Sequence, residues 1–82
     1  MFSVYILYSL KDRGIYIGKT NNLKRRLSEH SLGRVPSTKS RCPFRLIKTY
    51  KYITEKKALK MEKELKKGFR REQVKDLLKS LE

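Results

Sequence analysis

The apolar residues of this 82-residue chain fall into short runs whose spacing predicts three strands and three helices. Residues 2–10 are rich in β-branched and aromatic residues, which is typical of a strand buried on both faces. After a turn at residues 11–14, where Gly14 is free to adopt a positive φ, residues 15–19 form the return strand of a hairpin. Gly18, inside this second strand, indicates a close backbone approach or a bulge.

A third strand is predicted over residues 43–53, after an aperiodic basic loop at residues 31–42. In a chain this small we expect such a loop to contact a ligand as well as to connect two elements. One alternating set of positions in the third strand is aromatic or apolar and predicts one face of the sheet. This set consists of Phe44, Leu46, Tyr50 and Tyr52, and Ile47 belongs to the opposite set.

Three further segments have apolar residues at helical spacing. Asn21 or Asn22 can cap the start of the first helix, and Thr54 can cap the start of the second. The second helix is predicted to end near Gly68, which supplies its C′ residue. The third helix is predicted over residues 72–81. The apolar positions are Leu23 and Leu27 in the first helix, Ala58, Met61 and Leu65 in the second, and Val74, Leu77, Leu78 and Leu81 in the third. The order β-β-α-β-α-α predicts an α+β fold, and the length predicts a single domain over residues 1–82.

Charge narrows the function more than any other property of the composition. Lys and Arg number 22 against 8 Asp and Glu, for a net charge of +14. This excess indicates a polyanionic partner, with nucleic acid first and an anionic membrane surface second. No run approaches the roughly 18 apolar residues of a membrane span, and the N-terminus lacks the pattern of a signal peptide. Cys42 is the only cysteine, so no intrachain disulfide forms and a cytoplasmic location is expected.

Two tyrosines in the predicted hairpin are candidates for chemistry. Tyr5 and Tyr16 lie in facing runs, so both hydroxyls can meet at one edge of the sheet. A phenol titrates near pH 10, and cations that favour the phenolate would have to lower its pKa before it acted as a base. Lys19 and Arg26 are candidates for those cations. The alternative is that both rings only fill the core.

The first helix predicts a second group of polar residues on one face. Arg26 and His30 share the side of Leu23 and Leu27, whereas Arg25 points to solvent. A buried guanidinium requires an anion, and a phosphodiester would meet that requirement. His30 is either a proton-shuttling neighbour of Arg26 or a hydrogen-bonded core histidine, and spacing does not separate the two.

Glu62 is the one carboxylate on the packed face of the second helix. It can bind a divalent cation, which hydrolysis of a phosphodiester usually needs. It can equally form an ordinary ion pair with Lys66, four residues on. Spacing alone leaves both interpretations open.

These residues occur in an order that resembles the two-part signature of the GIY-YIG nucleases. The matching segments are Ser3-Val4-Tyr5, then, after ten residues, Tyr16-Ile17-Gly18, then Lys19-Thr20-x-Asn22-Leu23-x-x-Arg26-Leu27-x-x-His30, and finally Ala58-x-x-x-Glu62. The chain departs from the family at two points. Ser3 stands where the first glycine usually is, and no asparagine follows Asn22, although family members commonly carry one after the second helix.

The resemblance implies a three-stranded antiparallel sheet flanked by helices, and cleavage of DNA that depends on Mg²⁺ (or Mn²⁺). It implies that Tyr5 and Tyr16 activate and orient the attacking water, and that Lys19 helps to lower the pKa of the phenol. Arg26 would hold the scissile phosphate, with His30 beside it as a polar helper.

The resemblance also implies that Glu62 binds the metal ion, which decides between its two interpretations.

No segment of the chain looks like a groove-reading module, so we expect an endonuclease of low or structure-guided specificity, acting on branched or single-stranded DNA or directed by a partner protein. The alternative is a catalytically silent nucleic-acid-binding module on the same fold. In either case the basic residues expected to contact phosphates are Arg34, Lys39, Arg41, Lys60 and Lys63.

Overall fold

A computed structural model describes residues 1–69 and 71–80 and contains three strands and three α-helices. In chain order the elements are β1 Phe2–Ser9, β2 Ile15–Thr20, α1 Leu23–Ser31, β3 Phe44–Tyr52, α2 Glu55–Gly68 and α3 Arg71–Ser80, with a short 3₁₀ helix at Lys39–Arg41 before β3. This arrangement confirms the α+β class and the order β-β-α-β-α-α. The predicted apolar position Leu81 lies outside the described residues.

The sheet is antiparallel throughout, and its strand order is β2-β1-β3. The central strand β1 is buried on both faces, as its unbroken apolar run predicts: Val4 and Ile6 on one side and Tyr5 and Leu7 on the other are at most 1% exposed. Successive side chains point to opposite faces, so β1 has Val4 and Ile6 in the main core and directs Tyr5 and Leu7 away from it.

The main core lies between one face of the sheet and the helices α2 and α3. Its buried members are Val4, Ile6, Ile17, Ile47, Ala58 and Val74. The helical stripes predicted from the sequence pack against this cluster through the half-buried residues Met61, Leu65, Leu77 and Leu78. Burying one apolar stripe of each helix against the sheet is the main stabilising contribution to a core of this size.

The predicted faces of β3 are wrong beyond its first residues, because the pairing of β3 with β1 shifts between Ile6 and Leu7. Such a bulge places two residues of one strand opposite one residue of its neighbour, and it exchanges the faces on either side. Ile47 therefore enters the main core, although it belongs to the opposite alternating set from Tyr50. Phe44, across from Ser9, packs instead against His30.

The expected caps of the first two helices are present. Asn22, rather than Asn21, caps α1 and accepts a hydrogen bond from the backbone N–H of Arg25 at 3.1 Å. Thr54 caps α2 in the same way, because its Oγ1 accepts a hydrogen bond from the backbone N–H of Lys57 at 3.3 Å. Each bond satisfies one of the N–H groups that a helix start leaves without a partner.

The predicted roles of two glycines are wrong. In the hairpin turn the positive φ, 61°, belongs to Arg13 and not to Gly14. Gly68 is the last residue of α2, and the helix ends at Phe69 in an extended conformation, so no left-handed residue is needed there. A left-handed glycine instead follows α1, where Gly33 has a φ of 70° and its N–H donates to the carbonyl of His30.

Among the described residues no helix has both the length and the apolar character to cross a bilayer.

Candidate active site

The pairing of β1 with β2 creates the space that Tyr5 occupies. Tyr5 lies directly across from Gly18, and a Cβ atom at Gly18 would stand 2.5 Å from Tyr5 Cζ and closer still to its hydroxyl oxygen. No side chain larger than hydrogen fits at this position, so the close approach predicted for Gly18 is confirmed. The ring of Tyr5 lies over the β2 backbone and is 1% exposed.

Three rings meet on this face of the sheet. The centroid of Tyr16 is 6.3 Å from that of Tyr5 and 5.1 Å from that of His30, and the Tyr5 and His30 centroids are 5.6 Å apart. The two contacts with His30 are edge-to-face, a favourable geometry for aromatic rings. Strand pairing brings the two tyrosines together, and α1 carries the imidazole to them.

A buried hydrogen-bonded chain continues from the Tyr5 hydroxyl. Tyr5 Oη is 2.8 Å from His30 Nε2, and His30 Nδ1 is 2.7 Å from Thr38 Oγ1. Thr38 in turn donates to the carbonyl of Val35 at 3.5 Å. His30 is 1% exposed and Thr38 is fully buried, so the basic loop after α1 forms one wall of the site.

Arg26 approaches the same hydroxyl from the side of α1. A hydrogen bond to Tyr5 raises the pKa of the half-buried Arg26 guanidinium, and this cation also lowers the pKa of His30, an effect that adds to the larger one of burial. Glu29 lies on the other side of the guanidinium, with Oε1 at 3.8 Å from Nη1 of Arg26. Arg25, next in the chain, points outward with 65% of its side chain exposed, as predicted.

Tyr5 is a weaker acid in the protein than in water. Burial raises the pKa of Tyr5 to about 12, although the hydrogen bond from Arg26 acts in the opposite direction. The expected lowering of this pKa is therefore not found. Desolvation disfavours the charged phenolate more strongly than the neighbouring cation favours it.

Lys19, the other cation expected to lower that pKa, has a different partner. Its Nζ lies 2.9 Å from Glu55 Oε1 at the start of α2. Lys19 pairs with Val4 and Gly18 pairs with Tyr5, so the strand alternation directs Lys19 to the face opposite Tyr5. The lysine and Arg26 both line an open cleft of about 290 Å³, together with Phe2, Thr20, Asn21, Arg25 and Glu55.

Glu62 of α2 is a mostly buried carboxylate that lies near Lys66. One carboxylate oxygen lies 3.7 Å from Lys66 Nζ, the ion pair expected from their spacing. The side chain is only 16% exposed, and its negative charge reaches Tyr5, where it contributes to the raised pKa of the phenol. Among the described residues no group of three or more His, Cys, Asp or Glu side chains is placed to hold a metal ion.

The residues expected to contact phosphates divide into two groups. Arg41 is held at the hairpin turn, with Nε at 2.6 Å from Asp12 Oδ2 and Nη2 at 3.1 Å from the carbonyl of Ile15, and 26% of its side chain is exposed. The other four, Arg34, Lys39, Lys60 and Lys63, are exposed. Arg41 thus fastens the basic loop to the hairpin.

The model of the GIY-YIG catalytic domain matches residues 1–75 of the chain. The chain belongs to the GIY-YIG family. Its relatives include UPF0213 protein OB0043 of Oceanobacillus iheyensis, 37% identical over 73 residues that cover 88% of this chain and 84% of that protein. UPF0213 protein NP_0776A of Natronomonas pharaonis is 36% identical over 64 residues, which cover 77% and 74% of the two chains.

The fold of this GIY-YIG domain is similar to a solved one. The solution NMR structure of the UPF0213 protein BH0048 from Bacillus halodurans aligns with a TM-score of 0.54 and 37% sequence identity, over 100% of this chain and 86% of that one. The UPF0213 proteins form a small family within the GIY-YIG group. Membership places the chain in a nuclease family that acts on nucleic acid.

Sequence reasoning missed two residues of the GIY-YIG site. Thr38 lies in the aperiodic loop, where no spacing connects it with His30, eight residues earlier. Glu29 lies off the apolar stripe of α1, yet its Oε1 is buried near Arg26. The i,i+3 spacing of Arg26 and Glu29 was the available signal for the second residue.

Proposed function

We propose that this GIY-YIG domain is a divalent-metal-dependent endonuclease that hydrolyses DNA phosphodiester bonds with low or structure-guided specificity. The observation that carries the proposal is the environment of the Tyr5 hydroxyl. It is buried with His30 Nε2 at 2.8 Å, the charge of Arg26 acts on it, and Arg26 also lines the open cleft. Tyr5, the proposed proton-handling group, is therefore coupled to Arg26, the proposed phosphate-binding group, which lines a solvent-accessible space.

In this proposal Arg26 holds the scissile phosphate and stabilises the charge that develops on it. A guanidinium suits this role because its fixed donors match two phosphate oxygens at once. Removing one preorganised donor of this kind typically costs roughly 10²–10³ in rate. Glu29, whose Oε1 lies 3.8 Å from Nη1 of Arg26, offsets part of the guanidinium charge when no phosphate is bound.

Tyr5 and Tyr16 activate and orient the attacking water. Tyr5 keeps its proton at neutral pH, because its pKa is raised to about 12. To act as a base it must release this proton to an acceptor while it takes one from water, and His30 Nε2 at 2.8 Å is in position to accept it. Tyr16, whose ring packs against His30, helps to hold the water.

The donor chemistry of Glu62 fits a magnesium or manganese ion. Mg²⁺ keeps several waters and is commonly bound by one or two carboxylates together with substrate phosphates, so a single carboxylate suffices on the protein side. Glu62 is mostly buried, its charge acts on Tyr5, and its ion pair with the exposed Lys66 is long at 3.7 Å. When bound, the ion would supply charge stabilisation at the phosphate.

The exposed cations support broad recognition of the DNA backbone. Arg34 and Lys39 project from the loop after α1, and Lys60 and Lys63 from α2. Contacts to phosphates position a protein on DNA but carry no sequence information. Selection would therefore come from the shape of a branched or single-stranded substrate, or from a partner protein.

One observation favours the alternative, a catalytically silent nucleic-acid-binding module. Glu62 has Lys66 as an ion-pair partner, and within the described part of the chain no group of three or more His, Cys, Asp or Glu side chains is placed to hold a metal ion. A silent module would bind DNA through the same basic surface and would leave it intact in every metal condition.

Cleavage assays separate the two functions. Purified protein is incubated with branched, single-stranded and duplex DNA in Mg²⁺ or in EDTA, alongside Tyr5→Phe, Arg26→Ala and Glu62→Gln. The matched controls are Tyr8→Phe on the other face of β1, the exposed Lys24→Ala of α1 and the exposed Glu64→Gln of α2. We expect metal-dependent nicking that the first three substitutions reduce by at least roughly 10²-fold and the controls leave intact. Binding without cleavage by the wild-type protein in all conditions supports the silent module.

A further inference from the structure

A chain of polar groups runs through the interior of the protein. It begins at the Tyr5 hydroxyl, on which the cleft residue Arg26 acts electrostatically, passes through both ring nitrogens of His30, and continues through Thr38 to the backbone carbonyl of Val35. The three side chains of Tyr5, His30 and Thr38 are at most 1% exposed. Buried polar atoms satisfy their hydrogen bonds within the protein, so the polarity of this chain can be worked out group by group.

The inner end of the chain sets the direction of its hydrogen bonds, and a ring proton on Nδ1 leaves Nε2 as the acceptor for the Tyr5 O–H at 2.8 Å. A carbonyl only accepts, so the Thr38 O–H points to Val35 and the Thr38 oxygen accepts from Nδ1 of the ring. The neutral imidazole in this chain carries its proton on Nδ1.

We propose that Thr38 is a positioning residue that holds His30 in the Nδ1–H tautomer and keeps the Nε2 lone pair available to the Tyr5 proton. The inference rests on the proposed function, in which Tyr5 takes a proton from the attacking water. Which nitrogen of a histidine is protonated is commonly set by the hydrogen bond that the other nitrogen makes. Thr38 supplies that bond from outside the segments that carry the family signature.

The proton transfer balances through this chain. One water proton bonds to Tyr5 Oη as the Tyr5 O–H bond breaks, and the released proton bonds to His30 Nε2. Tyr5 is neutral before and after the step, the water becomes hydroxide for attack on phosphorus, and His30 becomes an imidazolium that donates to Tyr5 and to Thr38. In the opposite tautomer Nε2 already carries a proton and the transfer is blocked.

NMR on ¹⁵N-labelled protein tests the assignment without ambiguity, because His30 is the only histidine. Long-range ¹H–¹⁵N couplings of the ring distinguish the Nδ1–H from the Nε2–H form. We expect the Nδ1–H pattern in the wild-type protein and in Thr38→Ser, which retains the hydroxyl. In Thr38→Val, which has a similar shape but no hydroxyl, the Nε2–H form should become the major one.

Cleavage rates provide the second measurement. Thr38→Val should lower the nicking rate at saturating DNA by roughly 10- to 100-fold, because small errors in positioning cost up to about 10²-fold, and should leave the half-saturating DNA concentration unchanged. Thr38→Ser should restore the rate. An Nε2–H pattern in the wild-type protein overturns the inference even if the valine variant fails to fold, and so does an unchanged pattern in a folded valine variant. Wild-type protein with the Nδ1–H pattern but no nuclease activity supports the role of Thr38 and refutes the proposed function.

Discussion

At the scale of single residues, the missing side chain of Gly18 decides where the Tyr5 hydroxyl stands. The ring of Tyr5 lies against the backbone of Gly18, which lets Oη lie 2.8 Å from His30 Nε2. The sequence predicted a close approach or a bulge at Gly18, because a glycine inside a strand is otherwise unfavourable. The sequence could predict the signature residues at this site because strand pairing and helical spacing are regular.

We predict that Gly18→Ala displaces the Tyr5 ring. The new Cβ would lie 2.5 Å from Cζ, so either the ring or the β2 backbone must move, and overpacking of this kind costs about 1–3 kcal/mol. Gly68→Ala is the matched control, because nothing lies within 4 Å of its Cβ position and alanine favours a helix. Urea unfolding should show a lower midpoint for Gly18→Ala and an equal or higher one for Gly68→Ala. Equal midpoints for Gly18→Ala and the wild-type protein would contradict the tight contact.

At the scale of secondary-structure elements, the basic loop at residues 32–38 and the 3₁₀ helix Lys39–Arg41 form part of the site. They carry Thr38 to His30, and Arg41 fastens their end to the hairpin turn through Asp12. Neither contact follows from the sequence, because an aperiodic loop offers no spacing from which to infer its partners. The sequence did not predict the bulge in β3 for a related reason. A shift in strand register depends on the neighbouring strand, whereas a prediction from alternating positions assumes that the register is constant.

The ion pair between Asp12 and Arg41, called the clamp below, should make the free energy of unfolding depend on pH under acidic conditions. The hydrogen bond from Arg41 lowers the pKa of Asp12 from 3.8 to about 2. A group whose pKa is depressed by folding contributes stability above its unfolded pKa, and this contribution is lost as the pH falls through the folded pKa. The window is therefore about pH 4 to pH 2.

Asp12→Asn isolates this effect, because the asparagine oxygen can still accept the N–H of Gly14 that Asp12 accepts at 2.8 Å. Urea midpoints of the two proteins should differ most above pH 4 and converge by about pH 2. A difference that stays constant across this window would show that the charge of Asp12 does not contribute through the clamp.

At the scale of the whole molecule, the net charge of +14 is spread over many elements: residues 32–41 and α2 hold nine of the 22 basic residues and three of the eight acidic ones. The sequence indicated a polyanionic partner from composition alone, and membership of the GIY-YIG family is consistent with nucleic acid as that partner. Composition did not reveal that Arg41 is partly withdrawn from solvent by Asp12.

We predict that DNA binding weakens steeply with salt and that individual lysines of α2 account for part of the slope. The logarithm of the binding constant should fall linearly with the logarithm of the salt concentration. Lys60→Gln and Lys63→Gln should each reduce the slope by about 1 if each contacts a phosphate, similarly for all DNA sequences. Lys75→Gln, an exposed lysine of α3, is the control and should leave the slope unchanged. Fluorescence anisotropy over a salt titration measures both quantities, and an unchanged slope in the α2 variants would remove α2 from the DNA-binding surface.

The central claim is that the buried Tyr5 hydroxyl takes part in hydrolysis of a phosphodiester. Its most direct test is single-turnover cleavage of a branched DNA by wild-type protein and Tyr5→Phe in Mg²⁺, with DNA binding measured on the same samples. Removal of one oxygen atom should leave binding within about twofold and reduce the cleavage rate by at least roughly 10²-fold, the lower range for loss of acid–base catalysis. Equal cleavage rates for the two proteins would contradict the account.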